Sequence, residues 1–130
     1  MSGMEKPMGV AILICDKVIT EAETKNKTLV STFNTIQAKS FPCVHPALSV
    51  FVALTNAAGE KTVHLVFSIG QEKIIKVGGK VKFDNPNQTV ELVFNLLKVP
   101  FKVPGLYSFE VFADDDYIFE SRFNVIQIER

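Results

Sequence analysis

The sequence predicts an all-β fold, and three observations support this prediction. Apolar and polar residues alternate in three runs, LSVFVALT at 48–55, TVHLVFSI at 62–69 and TVELVFNL at 89–96. Such alternation places successive side chains on opposite faces of a half-buried strand. No segment shows the sustained three-and-four-residue apolar period of a helix. Clusters of turn residues separate the runs. We therefore expect strands joined by short loops, with few or no helices.

Nine strands follow from this pattern when the chain is read in order. The first comes from the apolar run that begins at Val10, and proline residues precede two later strands because proline cannot donate to a ladder. NAAGE at 56–60 predicts a hairpin in which Gly59 takes positive φ, and Gly78-Gly79 and DNPN at 84–87 predict further turns. The charged stretch between Val18 and Lys27 is predicted to be an exposed loop. Strands are expected at 9–16, 28–36, 48–55, 62–69, 72–77, 80–83, 89–96, 106–113 and 117–128.

The segment PGLYSFEV at 104–111 favours a particular architecture. A Gly-x-Tyr-x-apolar pattern at the start of the penultimate strand resembles the tyrosine corner of immunoglobulin-like sandwiches, in which the ring packs inward and the hydroxyl bonds a backbone group upstream. We assign these roles to Tyr107. The predicted fold is therefore an immunoglobulin-like antiparallel β-sandwich of about eight or nine strands. Inward-facing residues of its last two strands are Tyr107, Phe109, Val111, Phe119, Phe123 and Val125.

Composition and charge exclude several classes of function. The chain of 130 residues is 47% hydrophobic and carries 14 basic and 14 acidic residues, which suits one globular domain over 1–130. Nucleic acid is excluded as a partner because phosphate binding needs clustered basic residues. Membrane insertion is excluded because no apolar run approaches the length of a bilayer span. The apolar run before Cys15 is also too short for a signal peptide, so we expect a cytoplasmic protein with free thiols at Cys15 and Cys43.

The chain as a whole resembles a family of small, uncharacterised bacterial proteins that share a domain of unknown function. The resemblance rests on Ile14-Cys15-Asp16 at the end of the first strand, Ser40-Phe41-Pro42 before another, Gly59-Glu60 in a hairpin and the Pro104-Gly105-x-Tyr107 segment. It implies an immunoglobulin-like β-sandwich and brings no catalytic residues. Asp114-Asp115-Asp116 stands where such sequences usually have a short Asp-Gly-type turn.

The aspartate triplet is the first candidate for chemistry. Carboxylates in loops of β-sandwiches can bind calcium, which takes six to eight oxygen ligands. Adjacent side chains on an extended backbone diverge, so Asp114, Asp115 and Asp116 would need help from the 84–87 loop. The simpler interpretation, which we favour, is a solvated hairpin turn in which aspartate tolerates unusual φ. We predict no cofactor and no metal, with these three residues as weak metal candidates.

Cys43 and His45 form the second candidate, because an imidazole beside a thiol can activate it. Residues i and i+2 share one face of an extended segment. A cysteine-dependent enzyme also needs an oxyanion hole and an orienting third group, and prolines flank the pair. We therefore interpret the segment as a structural connector and predict no catalytic residue.

Three apolar residues form the third candidate. If the strands alternate as assigned, Phe51, Phe112 and Ile126 face away from the core, and an immunoglobulin-like order would make their strands neighbours in one sheet. A contiguous exposed apolar cluster usually marks an interface, although loops can cover such a face. His64 is expected to be an exposed surface histidine.

The sequence thus favours a non-enzymatic protein-interaction or structural module that binds an unidentified protein partner or a second copy of itself. The alternatives are a calcium- or small-ligand-binding loop module and, last, a Cys/His-dependent enzyme.

Overall fold

The computed structural model of the chain describes residues 6–129, and within this range it is built from β-strands without helices. No described helix could therefore span a membrane. The all-β prediction is confirmed; residues 1–5 and 130, which the single-domain prediction includes, lie outside the described residues. The strands are β1 (Met8–Thr20), β2 (Lys27–Thr32), β3 (Thr35–Ala38), β4 (Cys43–Thr55), β5 (Gly59–Ile69), β6 (Glu72–Phe83), β7 (Val90–Phe101), β8 (Gly105–Ala113) and β9 (Asp116–Gln127).

The strands form two sheets, which confirms the predicted sandwich. One sheet has the order β2-β1-β4-β7 and the other the order β3-β9-β8-β5-β6. β4 pairs with β7 in one sheet, and β8 pairs with both β5 and β9 in the other. One pairing departs from the antiparallel prediction, because β3 runs parallel to β9.

Five aromatic side chains fill the space between the sheets: Phe67, Phe101, Tyr107, Phe109 and Phe123, here called the aromatic cluster. Phe67 lies at its centre, with its ring centroid 5.1 Å from that of Phe109 and 5.4 Å from that of Tyr107. Each ring is almost completely buried. Because burial of one such side chain contributes about 2–3 kcal/mol, the cluster strongly favours the observed strand register.

The tyrosine corner predicted from the sequence is present. Tyr107 is 1% exposed, and its hydroxyl donates a hydrogen bond of 2.6 Å to the carbonyl oxygen of Val103. Burial raises the pKa of the Tyr107 hydroxyl above its usual range. The bond attaches the connection between β7 and β8 to a side chain that is anchored in the core.

The β1–β2 hairpin folds across the outer face of the four-stranded sheet. Residues 8–15 of β1 pair with β4, whereas residues 15–20 pair with β2. Near the tip of this hairpin, Lys27 Nζ lies 3.3 Å from Glu91 Oε1 at the start of β7, on the far side of β4. The hairpin therefore crosses β4, which explains why Cys15, Ser49 and Phe51 are buried although they face away from the core.

Three predicted boundaries are wrong for identifiable reasons. The loop predicted between Val18 and Lys27 is shorter, because β1 and β2 continue into the hairpin. The strand predicted at 28–36 is two strands, because the chain leaves one sheet after β2 and enters the other at β3. The predicted turn at Gly78-Gly79 lies inside β6, where these glycines pair with His64 and Val63 of β5.

We expect Tyr107→Phe to lower the free energy of unfolding by about 1 kcal/mol, because the ring stays while the Val103 carbonyl loses its donor. Urea denaturation measures this change. Tyr117→Phe, at a 43% exposed tyrosine, is the matched control and should change stability much less. Equal effects of the two variants would contradict an anchoring role for the Tyr107 hydroxyl.

We expect Gly9→Ala to destabilise the protein by about 1–3 kcal/mol, the usual range for overpacking. A Cβ at Gly9 would overlap the Phe119 ring, so the strand and the ring cannot both keep their positions. Gly79→Ala is the control, since its nearest contact would be an ordinary 3.6 Å from Leu92 Cδ2. Thermal unfolding of both variants tests the prediction, and a Gly9→Ala protein as stable as Gly79→Ala would refute it.

Candidate functional site

The outer face of the five-stranded sheet carries the candidate site, on neighbouring positions of β6, β5 and β8. Opposite residues of antiparallel strands share a face. One row across the strands is therefore Gly78, His64 and Phe112, and the next is Lys76, Val66 and Glu110. We call this surface the β6–β5–β8 face. It combines aromatic, aliphatic and charged side chains on paired strands.

A cavity of about 290 Å³ lies on this face and is lined by His64, Val66, Lys73, Lys76, Phe112 and Asp115. We call it the outer pocket. Val66 is 5% exposed although it faces away from the core, so it forms an apolar floor beneath the longer side chains. Sites for drug-sized ligands begin at about 300 Å³. The outer pocket therefore suits one or two side chains better than a large cofactor.

His64 points outward, as predicted, but it is packed into this face and half-buried rather than exposed. A Cβ at Gly78 would lie 2.9 Å from His64 Cδ2 and 3.2 Å from Nε2, so the imidazole occupies the space that a side chain at Gly78 would need. His64 Nδ1 is buried and has no hydrogen-bond partner among the described residues. Because a buried polar atom without a partner costs about 1–3 kcal/mol, this atom is a local defect in an otherwise well-bonded sheet.

The two pocket lysines differ in their surroundings. Lys73 Nζ lies 3.2 Å from Glu110 Oε1 and 5.8 Å from the centroid of the Phe112 ring. The same Glu110 oxygen accepts a hydrogen bond of 3.3 Å from Ser68 Oγ. Lys73 is thus fixed by a polar network. Lys76 forms no ion pair with any described residue, and it lies opposite Val66 in the neighbouring strand.

Tyr117 extends the aromatic surface towards β9. Its ring meets that of Phe112 edge-on, with 5.8 Å between the centroids, and its hydroxyl donates a hydrogen bond of 2.8 Å to Glu120 Oε1. Partial desolvation and this bond to a carboxylate raise the pKa of Tyr117 to about 12. The hydroxyl is therefore protonated at neutral pH and acts as a donor.

The three predicted interface residues do not lie together. Phe51 belongs to β4 in the four-stranded sheet and is 8% exposed, because the hairpin covers it. Phe112 and Ile126 share the five-stranded sheet, but the charged residues Glu110 and Arg122 lie between them along β8 and β9. The prediction of one shared face is wrong because β4, which carries Phe51, pairs with β1 and β7 in the four-stranded sheet. Of the three, Phe112 alone lines the outer pocket.

The aspartate triplet forms a tight turn. Asp114 and Asp115 have φ of 48° and 70°, and Ala113 pairs with Asp116 across them. Two positive φ values in a two-residue hairpin loop indicate a type I′ turn. Asp114 Oδ1 accepts a hydrogen bond of 3.0 Å from the Thr62 backbone N–H, and its Oδ2 lies 3.7 Å from Lys61 Nζ.

The triplet does not converge as a metal site would. Asp114 is directed to β5 by these contacts, whereas Asp115 lines the outer pocket. Within residues 6–129, no three or more His, Cys, Asp or Glu side chains are grouped to hold a metal ion.

Cys43 and His45 have separate surroundings. Cys43 is partly buried against the core, and the His45 ring packs 6.0 Å from that of Phe33. Both Cys43 and Cys15 are free thiols, and Cys15 is fully buried. Burial raises the pKa of the Cys15 thiol, whose Sγ donates to the Lys17 carbonyl oxygen at 3.3 Å. A raised pKa makes this thiol less reactive than a free cysteine.

A comparison with known protein families identifies the family of this chain. Residues 10–126 match a family described as a family of unknown function (DUF6941). The chain belongs to this family. No curated protein sequence matches the DUF6941 chain.

Two similar solved structures are large enzymes. A β-glucosidase, EmGH1 from Erythrobacter marinus, is 19% identical with a TM-score of 0.48 over 72% of this chain and 14% of that one. β-Glucosidase 3B from Thermotoga neapolitana, in complex with α-D-glucose, is 16% identical with a TM-score of 0.45 over 76% and 17%. The DUF6941 chain thus spans less than a fifth of either enzyme, and similarity this low carries no information about its activity.

The sequence pointed to only part of the outer pocket. It identified Phe112 and the aspartate turn, but it treated His64 as ordinary surface and missed Lys73 and Lys76. A signal was present, since Lys76, Gly78, Lys80 and Lys82 occupy alternate positions of one segment. Because Gly78-Gly79 was interpreted as a turn, the alternation across these positions was not recognised as one continuous strand.

We expect Asp115→Gly to raise the free energy of unfolding by about 1 kcal/mol, because glycine adopts positive φ without the cost that an L-residue bears. Asp114→Gly relieves a similar φ but removes the side-chain acceptor for the Thr62 N–H and one partner of Lys61, which is 4% exposed. We therefore expect Asp114→Gly to be destabilising. Chemical denaturation of both variants gives the comparison, and equal stabilisation by the two would show that the Asp114 contacts contribute nothing.

Proposed function

We propose that this chain is a non-enzymatic protein-interaction module whose β6–β5–β8 face binds a protein partner. The observation that carries the proposal is the outer pocket, in which Val66 and Phe112 form an apolar floor. Beside this floor lie two lysines, of which Lys73 forms an ion pair and Lys76 forms none among the described residues. A small pocket with a few polar groups is the usual form of a site that receives a side chain.

The rigidity of this face supports the proposal. The pocket residues of β5, β6 and β8 stand on paired strands, and Lys73 is held by Glu110. Binding to such a surface orders few additional side chains, which keeps the entropic cost of association low. The balanced charge of the chain fits a protein partner better than nucleic acid. We place this interaction in the cytoplasm, as the sequence suggested.

A second copy of the chain is the other partner to consider. The face carries both Lys73 and Glu110, which form an ion pair with each other. Two copies related by a two-fold axis would bring the same patch together. Self-association is therefore an outcome that the experiment must separate from binding of a different protein.

The other sequence-based alternatives have less support. A Cys/His-dependent enzyme would need a thiol in contact with the imidazole, and no described hydrogen bond joins Cys43 to His45. A calcium-binding loop would need converging oxygens, whereas Asp114 is directed towards Thr62 and Lys61.

We expect Phe112→Glu to abolish partner binding, because it places a charge on the apolar side of the pocket. Tagged wild-type and variant proteins are used to capture partners from a native extract, and sedimentation gives the mass of each purified protein. Leu97→Glu is the matched control, since Leu97 is 73% exposed on the other sheet. Thermal unfolding verifies that both variants are folded.

Three outcomes are distinguishable. Loss of a captured protein in Phe112→Glu alone supports the proposal with a different protein as partner. A wild-type dimer that Phe112→Glu alone converts to a monomer supports it with self-association. Identical capture and mass for all three proteins overturn it, and Lys76→Glu, at an exposed lysine of the same pocket, repeats the test if Phe112→Glu does not fold.

A further inference from the structure

We infer that the outer pocket receives a carboxylate from an acidic segment of the partner, with Lys76 as the residue that binds it. This inference rests on the proposed function, because it names the chemistry that the β6–β5–β8 face would recognise. Four observations carry it: a row of lysines, a pocket lysine without an ion pair, the charges around the pocket and the unsatisfied histidine.

The lysine row lies along the outer side of β6. Lys76, Lys80 and Lys82 pair with Val66, Thr62 and Glu60 of β5, so they share the face of the outer pocket, and Lys73 pairs with Ser68 at its end. All four lysines are exposed. Lysines on an edge strand also prevent unwanted strand pairing. Protection of an edge strand requires no cavity. Lys73 and Lys76, however, line a cavity whose floor is apolar.

Of the two lysines that line the outer pocket, Lys76 is the one without an ion pair among the described residues. Glu110 neutralises Lys73 at 3.2 Å. Lys82 lies opposite Glu60 across the strand pair. Lys76 lies opposite the buried Val66 instead, and it forms no ion pair among the described residues. An anion that enters the pocket therefore meets one lysine that is not held in an ion pair.

The other charges around the pocket disfavour an anion that carries two negative charges on one group. Asp115 lines the pocket and Glu110 lies beside Lys73. These two carboxylates would repel a dianionic phosphate more strongly than they would repel the single charge of a carboxylate. The apolar floor of Val66 and Phe112 also favours a carboxylate that is carried on an aliphatic or aromatic neighbour. An acidic peptide with interspersed apolar residues has this chemistry.

His64 adds capacity for hydrogen bonding. Its Nδ1 lacks a partner among the described residues, and the ring rests on Gly78 with no Cβ to hold it. A bound segment that offers a donor or an acceptor can satisfy the imidazole after a small rotation of the ring. The cost of the unpaired nitrogen would then be recovered on binding.

The spacing of the lysines favours an extended segment. Side chains two residues apart on one face of a strand are separated by about 6.6 Å. An extended peptide has the same repeat, so alternate acidic residues lie opposite alternate positions of β6. A peptide of alternating glutamate and leucine therefore presents all its carboxylates on one side, with the spacing of the lysine row.

The experiment uses two peptides and measures amide and methyl chemical shifts by NMR. One is acetyl-Glu-Leu-Glu-Leu-Glu-amide, and the other has Gln at each Glu position. We expect the first to shift the signals of Val66, Lys76 and Phe112 saturably, and the second to leave them nearly unchanged. Higher ionic strength should weaken the binding, because partly exposed charges are screened.

Lysine variants localise the effect. We expect Lys76→Gln to weaken binding of the glutamate peptide about fivefold, the factor that corresponds to loss of one charge-assisted contact. Lys17→Gln removes the same charge from an exposed position on β1 in the other sheet, and we expect it to have no effect. Lys80→Gln should have an intermediate effect or none.

Each contrary result has a defined meaning. If the Gln peptide binds as well as the Glu peptide, recognition of a carboxylate is refuted. If binding is weakened equally by Lys76→Gln, Lys80→Gln and Lys82→Gln, specific binding in the outer pocket is refuted in favour of diffuse attraction to the lysine row. Absence of peptide binding overturns the inference, whereas the proposed function still stands if Phe112→Glu has abolished partner capture. Failure of both experiments removes both proposals.

Discussion

Packing of the aromatic cluster between the two sheets is the constraint on which the rest of the structure depends. Phe67 and Phe109 face each other across β5 and β8, and both point inward. Since side chains alternate along a strand, their inward orientation forces Val66 and Glu110 to point outward. A slip of one residue would bury Glu110 and Lys76 and expose the aromatic cluster. The core therefore determines the composition of the β6–β5–β8 face.

The two outer faces of the sandwich differ because one is covered and the other is not. The β1–β2 hairpin crosses the four-stranded sheet and buries Phe51, a position that the sequence pattern alone marks as exposed. No described element crosses the β6–β5–β8 face in the same way, and Val66 there is shielded by the side chains around the outer pocket. The same alternation of apolar and polar residues therefore leads to burial of outward-facing residues on the four-stranded sheet, which the hairpin covers, and to an open surface on the other sheet.

Period-two alternation and the Gly-x-Tyr motif were sufficient to predict an all-β sandwich and the position of Tyr107, because both are local properties of an extended chain. They were insufficient for Phe51, whose burial depends on a hairpin that is distant in sequence from β4. They also failed at Gly78-Gly79, where glycine is needed by the imidazole of His64 on the neighbouring strand rather than by a turn. Contacts between strands carry no local signal, so the outer pocket could be predicted only in part.

Several departures from ideal structure meet at the same end of one face. Asp114 and Asp115 hold positive φ, Gly78 of β6 stands opposite His64, and His64 Nδ1 is buried without a described partner. Each costs stability, and a sequence selected for stability alone would replace Asp115 with glycine and His64 with an apolar residue. Unfavourable local choices concentrate at functional sites, where another requirement outweighs stability. Positive φ alone does not mark the site, since Lys25, Ser31, Asn56 and Lys98 also adopt it elsewhere. The unsatisfied His64 imidazole beside Phe112 is the departure that supports the proposal that this face binds a partner.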